Sequence, residues 1–268
     1  MTTDTILHAP TDVASHPIVS DTRWYAERKA LLAREKELTH LHDRIARERR
    51  ALPWRRVDDE AYVFDTPAGR RTLGELFASR RQLLVQHFML GPGWDAGCPS
   101  CSYMADHSDG MNVHLAQRDI TLVAVSRAPL AEIERFRRRM GWKFDWVSSH
   151  ASNFNFDFGV SFTEDDAASG ALVYNFATQP FQGEEAPGLS IFYRSDAGEV
   201  FHTYSTYGRG VEVMMGAYQL MDLVPLGRGE RDVPYKMEWV RHHDRYDAAR
   251  PADRKETAAS AACCHAKA

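Results

Sequence analysis

No run in the chain approaches the roughly 18 apolar residues that a membrane span requires. The Met1-Thr2-Thr3-Asp4 start also lacks the basic segment and apolar stretch of a secretory leader. A soluble cytoplasmic protein is therefore expected, with no membrane partner. There is no Gly-x-Ser-x-Gly elbow, no Gly-x-x-x-x-Gly-Lys phosphate loop and no dinucleotide fingerprint, which removes the serine-hydrolase, nucleotide-hydrolase and nicotinamide readings and leaves no cofactor to expect. Four cysteines in 268 residues are too few for a disulfide scaffold. A formal net charge of -4 gives no reason to expect a nucleic-acid partner.

What the chain does have is 44% hydrophobic and 26% charged residues without a Gly/Ser-rich linker, enough for one domain with extensions. Residues 1–17 read as a flexible arm. Residues 18–52 read as a helical extension: Ser20 or Asp21 caps a helix running to about Arg50, with Trp24, Leu31, Leu38, Leu41 and Ile45 at near-helical spacing. That apolar stripe needs a cover, either the domain's own sheet or the second subunit of a homodimer. The Arg47-Glu48-Arg49-Arg50 end is interleaved with acid, so a solvated face is the expected role. Residues 53–247 read as the domain, and from 248 the Ala, Pro, Lys and Ser composition predicts a disordered tail to 268.

Within the domain, Tyr62-Val63-Phe64 and Arg70–Leu73 flank a Pro67-Ala68-Gly69 turn as a hairpin, followed by a short helix at Leu73–Phe77. Gln82–Leu90 and Ile120–Val125 are apolar runs suited to buried parallel strands. Between them, Cys101, Met104, Ser108, Met111 and Leu115 keep helical spacing, perturbed at Gly110, which makes a strand-helix-strand unit. Ser126-Arg127-Ala128-Pro129 starts a second helix, with Pro129 at its first position, that stops at Gly141. Trp142, Phe144 and Trp146 alternate as a strand or edge. Asn153–Gly159 alternates aromatic and polar residues, and core packing of the phenylalanines is favoured over an aromatic loop near a pocket. Thr163–Glu185 is an excursion, Leu189–Tyr193 and Glu199–Tyr204 form a hairpin, Arg209–Asp222 is helical, and Leu223–Asp247 wraps over the domain.

The unit is organised around Gly91-Pro92-Gly93-Trp94-Asp95-Ala96-Gly97-Cys98-Pro99-Ser100-Cys101. This places Cys98 at a helix N-terminus, at the carboxyl end of the first strand, with Cys101 one turn further in. Unpaired N–H groups and the dipole there favour a thiolate on Cys98. Cys98 is then the attacking thiolate and Cys101 the resolving thiol of a dithiol redox site. The alternatives are a zinc or copper site adding His107 and His114 to the cysteines, and a redox-inactive scaffold associating through the N-terminal helix. Cys263-Cys264-His265 in the tail is a poor disulfide pair, because adjacent cysteines bond only with strain.

The element order resembles the thioredoxin fold, and the extra first hairpin resembles its peroxiredoxin variant. That implies an α/β domain with a mixed central sheet flanked by helices, plus the N-terminal helical extension. Pro187, just before a strand, matches the place where that fold keeps a cis-proline beside its dithiol, so the resemblance adds Trp94 and Pro187 as substrate-binding residues. More closely, Phe88–Trp94, Gly97–Cys101, Val123–Pro129 and Phe201–Tyr207 resemble family 899 of the domains of unknown function, described as predicted dithiol-disulfide oxidoreductases. The resemblance implies a protein or small-molecule thiol or disulfide substrate and an external reductant such as a thioredoxin or glutathione system. Two departures qualify it. Peroxiredoxins keep a Thr shortly before the reactive Cys, where this chain has Asp95-Ala96-Gly97, and an acidic neighbour opposes thiolate formation. Thioredoxins keep Trp immediately before that Cys, whereas Trp94 stands four positions earlier.

Overall fold

The computed structural model describes residues 15–168, 172–179, 183–231 and 233–246. They divide into two compact units, one holding the described residues up to Leu52 together with Gln219–Gly229, the other running from Pro53 to Tyr218 and resuming at Glu230. In the first unit, helix α1 (Asp21–Arg50) is capped by Ser20, whose side chain accepts from the Arg23 N–H. Asp21 in its first turn and Arg47, Arg49 and Arg50 in its last complement the helix dipole. None of its residues is buried. Among the described residues no helix is long and apolar enough to cross a membrane.

The second unit is built on an eight-stranded mixed sheet. Its strands are β1 (Arg55–Val57), β2 (Val63–Thr66), β3 (Gly69–Thr72), β4 (Gln82–His87), β5 (Ile120–Ser126) and β6 (Asp145–Ser148), followed by β9 (Gly188–Arg194) and β10 (Val200–Tyr207). A separate pair, β7 (Leu172–Tyr174) and β8 (Ala177–Gln179), lies in the excursion. The order across the main sheet is β1-β10-β9-β4-β5-β6-β2-β3. β4, β5 and β6 are parallel, with Val85 opposite Val123, while β9 runs antiparallel to β4 and β10 antiparallel to β9. The central β5-β4-β9-β10 order, with helices between β4 and β5, is the thioredoxin arrangement. The hairpin β2/β3 extends it through one bridge, Asp65 to Ser148, at β6.

The pleat sends alternate side chains to opposite faces, and both faces are covered. On one face Leu83, Val85, Val123, Val125, Val147 and Phe192 pack with Phe64, Phe77, Phe154 and Phe158. On the other, Ala124 and Trp146 pack with Phe136, Met140, Trp142 and the residues around the cysteines. The covering helices are α2 (Pro99–Ala105), α3 (Ser108–Ala116) and α4 (Leu130–Met140). Phe154 and Phe158, four apart, are buried at the two ends of the single-turn α5 (Phe154–Asp157), so core packing is the observed role of these two, while Phe156 is half-buried. A short α6 (Glu164–Ala168) precedes β7, and α7 (Gly216–Met221) follows a 3-10 turn at Gly208–Met214.

Three local expectations are corrected. The helix after the cysteines is not continuous: α2 ends at Ala105 and α3 begins at Ser108. Pro129 is the N-cap of α4, with ψ 144°, rather than its first helical residue; Gly141 ends that helix at φ 71°, as a left-handed C-terminal stop requires. The helical stretch from Arg209 is split into the 3-10 turn and α7.

Candidate functional site

Beyond His87 the backbone leaves β4 but stays tied to the end of β5. The Phe88 N–H donates to Val125 O at 2.9 Å, and the Ala128 N–H donates to Leu90 O at 2.9 Å. The Ser126 hydroxyl donates to Phe88 O at 2.6 Å and accepts from the Trp146 indole at 2.9 Å. Residues 91–97 then loop out and return, closed where the Cys98 N–H donates to Met89 O at 3.0 Å. Glu132, in the first turn of α4, steadies the loop by accepting from the Gly93 N–H at 3.1 Å. Glycine is required at the loop's end: a Cβ on Gly97 would lie 2.5 Å from the Phe88 ring and 2.8 Å from Phe136.

Cys98 is the N-cap of α2 and Pro99 its first residue, where the missing N–H costs nothing. Cys101 follows one turn on. The Ser102 N–H and hydroxyl both donate to Cys98 O, at 2.9 and 3.0 Å. Both cysteines are thiols rather than a disulfide. Cys98 is 5% exposed and Cys101 1%, so Cys98 is the one nearer to solvent. They belong to one buried apolar cluster with Phe88, Met89, Leu90, Ala128, Ile133 and Phe136, against which half-buried Trp94 and Ala96 pack.

The break between α2 and α3 is set by side chains that reach outward. His107 Nε2 accepts from the Ala217 N–H at 3.1 Å, which leaves Nδ1–H to donate to Tyr103 O at 2.8 Å. Asp106 accepts from the Trp142 indole at 2.7 Å and from His243 Nδ1 at 2.6 Å. Asp109 accepts from the N–H groups of Lys143 and Phe144.

Sequence reasoning missed His242. Its Nε2 lies 2.7 Å from the carbonyl oxygen of Gly97, the residue before Cys98, and its Nδ1 lies 3.2 Å from Arg139 Nη2. Since guanidinium can only donate and carbonyl only accept, the ring carries its proton on Nε2. Burial is the largest influence and pushes its pKa below the ordinary histidine value, partly countered by the Gly97 bond.

The residues named from the sequence separate. Cys98, Cys101 and Trp94 share one cluster. Pro187 precedes Gly188, which pairs with His87, so it stands at the same end of the sheet; its carbonyl accepts from the Tyr174 hydroxyl at 2.7 Å. There is no cis peptide bond among the described residues. Three side chains outside that set are bonded locally: Arg127 donates to Glu185 at 2.5 Å and stacks on Phe156 at 4.8 Å. Glu185 also accepts from the Ser161 hydroxyl at 2.7 Å, and burial outweighs Arg127 in raising its pKa. His150 Nδ1 lies 3.1 Å from Arg127 O, and the His202 ring from Ser205 and the Tyr204 carbonyl at 2.7 and 3.1 Å. Among the described residues no three His, Cys, Asp or Glu side chains group as a metal site. His107 has both nitrogens engaged and His114 is exposed. Cys263, Cys264 and His265 lie outside the described residues.

The family described as "Bacterial protein of unknown function (DUF899)" matches residues 13–246. The chain belongs to this family. No curated protein matches it. Among solved structures it is similar to peroxidoxin BcpB from Mycobacterium tuberculosis, at 14% identity over 62% of this chain and 97% of that one, with a TM-score of 0.41. A peroxiredoxin Q variant of Xanthomonas campestris gives 11% identity over 63% and 98%, with a TM-score of 0.42. PrxQ of Xylella fastidiosa gives 10% over 62% and 94%, at 0.41. The strand order β5-β4-β9-β10 by itself makes the second unit thioredoxin-like.

Proposed function

We propose that this DUF899 protein is a thiol-disulfide oxidoreductase acting through Cys98 and Cys101. The supporting observation is the pair of buried thiols one helical turn apart at the β4-to-α2 junction of a thioredoxin-type sheet, the outer one at the helix cap. The Cys98 thiolate attacks one sulfur of a substrate disulfide. The substrate S–S bond breaks, a Cys98–substrate disulfide forms, and the departing thiolate takes a proton. Cys101, deprotonated, then attacks Cys98 Sγ, releases the second substrate thiol and leaves a Cys98–Cys101 disulfide. Two electrons have passed to the substrate, and an external thiol reductant, either one dithiol of the thioredoxin class or two molecules of a glutathione-type monothiol, takes up the disulfide and restores the two thiols. Trp94, packed against the apolar cluster that contains both cysteines, and Pro187, at the same end of the sheet, are the proposed substrate contacts.

The test is a redox titration and an exchange assay on the full chain with a small disulfide, a protein disulfide and hydrogen peroxide. Exchange that is lost in Cys98→Ser supports the reading. A wild type that consumes none of these oxidants in the presence of dithiol reductants overturns it.

A further inference from the structure

We propose that the segment from Trp239 to Tyr246 is a strap that sets the dithiol, with His242 the positioning residue for Cys98. Its role in exchange rests on the function proposed above, but its effect on the thiol does not. The peptide unit joining Gly97 to Cys98 is held at both poles: its N–H donates to Met89 O at 3.0 Å, and its C=O accepts from His242 Nε2 at 2.7 Å. A peptide plane fixed at both ends cannot rotate, and its orientation determines where Cys98 Cα directs Cβ and Sγ. No side chain of the loop supplies this constraint; it arrives from residue 242.

The imidazole is itself held. Arg139 donates to its Nδ1 at 3.2 Å and makes two bonds of 2.9 Å to the carboxylate of Asp244, two residues further along the strap. The ring packs edge-on against Phe136 at 5.2 Å, and Arg139 lies over the same phenyl ring at 5.4 Å. The neighbouring His243 points the other way and bonds Asp106 at 2.6 Å, at the end of α2. Adjacent histidines thus hold the start and the end of the helix that carries both cysteines. The charged and titratable groups facing His242 are Arg139, Asp244 and Arg245. Protonating the ring would turn an Nδ1–H toward a guanidinium that can only donate, so the strap's bonding pattern requires the neutral form.

The test measures the thiol directly. In the full chain carrying Cys101→Ser, Cys263→Ser and Cys264→Ser, the rate of Cys98 alkylation by iodoacetamide is followed from pH 5 to 9. His242→Phe keeps the ring packing and loses the bond to Gly97; His242→Gln retains an N–H able to reach that carbonyl. The expected result is a changed pH midpoint and an about tenfold changed limiting rate for His242→Phe, with His242→Gln returned toward the parent. Asp244→Asn, which leaves Arg139 one acceptor oxygen instead of two at a partly exposed position, gives a smaller change in the same direction and serves if His242→Phe does not fold. Superimposable pH–rate curves for the parent and all folded variants overturn the proposal. If the curves shift but the wild type performs no exchange, the strap stands and the oxidoreductase reading falls.

Discussion

His87 Nε2 and the Ser190 hydroxyl are 2.8 Å apart between the central strands β4 and β9, both fully buried. The contact starts a chain that passes from Ser190 to Ser205 at 2.9 Å and from Ser205 to His202 at 2.7 Å. Phe154 stacks on the His87 ring at 5.5 Å, and among the described residues its Nδ1 has no hydrogen-bond partner. Burial pushes His87 down to about 3 and, together with Arg55, His202 down to about 4.

Acid should therefore unfold this protein through these rings. A histidine depressed in the native state is protonated first in the unfolded chain, so the unfolded state binds more protons from about pH 6.5 downward and stability falls with pH until the native pKa is reached. For His87 the window runs from 6.5 to about 3 and is worth roughly 5 kcal/mol. Urea midpoints measured across that window are expected to fall steadily in the wild type. In His87→Leu the fall should be shallower, with Ser190 still bonded to Ser205. An equal slope in the variant would show that His87 does not carry the effect.

The glycines divide by their surroundings. Gly97→Ala should lose about 1–3 kcal/mol by overpacking, because the added carbon meets two phenyl rings at 2.5 and 2.8 Å. Gly110, inside α3 with nothing within 4 Å of an added Cβ, gives the opposite sign: Gly110→Ala is expected to stabilise by about 0.5–1 kcal/mol. Chemical denaturation of the two variants beside the wild type checks both, and a stabilised Gly97→Ala would contradict the packing described around Cys98.

The parts of this architecture that were legible in the sequence are those whose signal is local. β4 and β5 read as strands because apolar residues on both faces, Leu83, Leu84 and Val85 in one and Leu122–Val125 in the other, outweigh their few polar positions. Cys-Pro-Ser-Cys between them was visible because its residues are contiguous in the chain. β1 was not, since Arg55–Val57 is an edge strand of three residues with only Val57 buried. The break at Asp106–His107 was hidden because three-and-four spacing continues through it; what interrupts the helix is bonding to Trp142, His243 and Ala217, all distant in sequence. Phe154, Phe156 and Phe158 alternate in sequence, yet in a helical turn the outer two share the core while Phe156 lies under Arg127. His242 left no trace, because its partner is a main-chain carbonyl 145 residues earlier and backbone acceptors carry no sequence signature.

His107 separates a structural role from a metal-binding one. Its Nε2 accepts from the Ala217 N–H and its Nδ1–H donates to Tyr103 O, so both nitrogens are already used. His107→Phe should cost about 1–3 kcal/mol by stranding the two backbone groups. Equimolar zinc should leave the wild-type melting temperature unchanged. A zinc-dependent rise that disappears in both His107→Phe and Cys98→Ser would instead mean that the site rearranges to take metal.

The two cysteines are expected to differ in what their removal does. Cys98 is the more exposed thiol and caps α2, while Cys101 lies within the helix at 1% exposure. If Cys98 attacks and Cys101 resolves, Cys101→Ser arrests the cycle after the first step and accumulates a covalent Cys98–substrate disulfide. Cys98→Ser forms none, because the inner thiol does not reach the substrate. Incubating each variant, made in a Cys263→Ser, Cys264→Ser background, with a disulfide-containing substrate, quenching with acid and weighing the protein by intact mass spectrometry reads this out. The adduct mass must be found in Cys101→Ser, and proteolytic mapping must place it on Cys98. Adducts of equal yield on both variants would mean that either thiol attacks, and the assignment of roles by burial would fail.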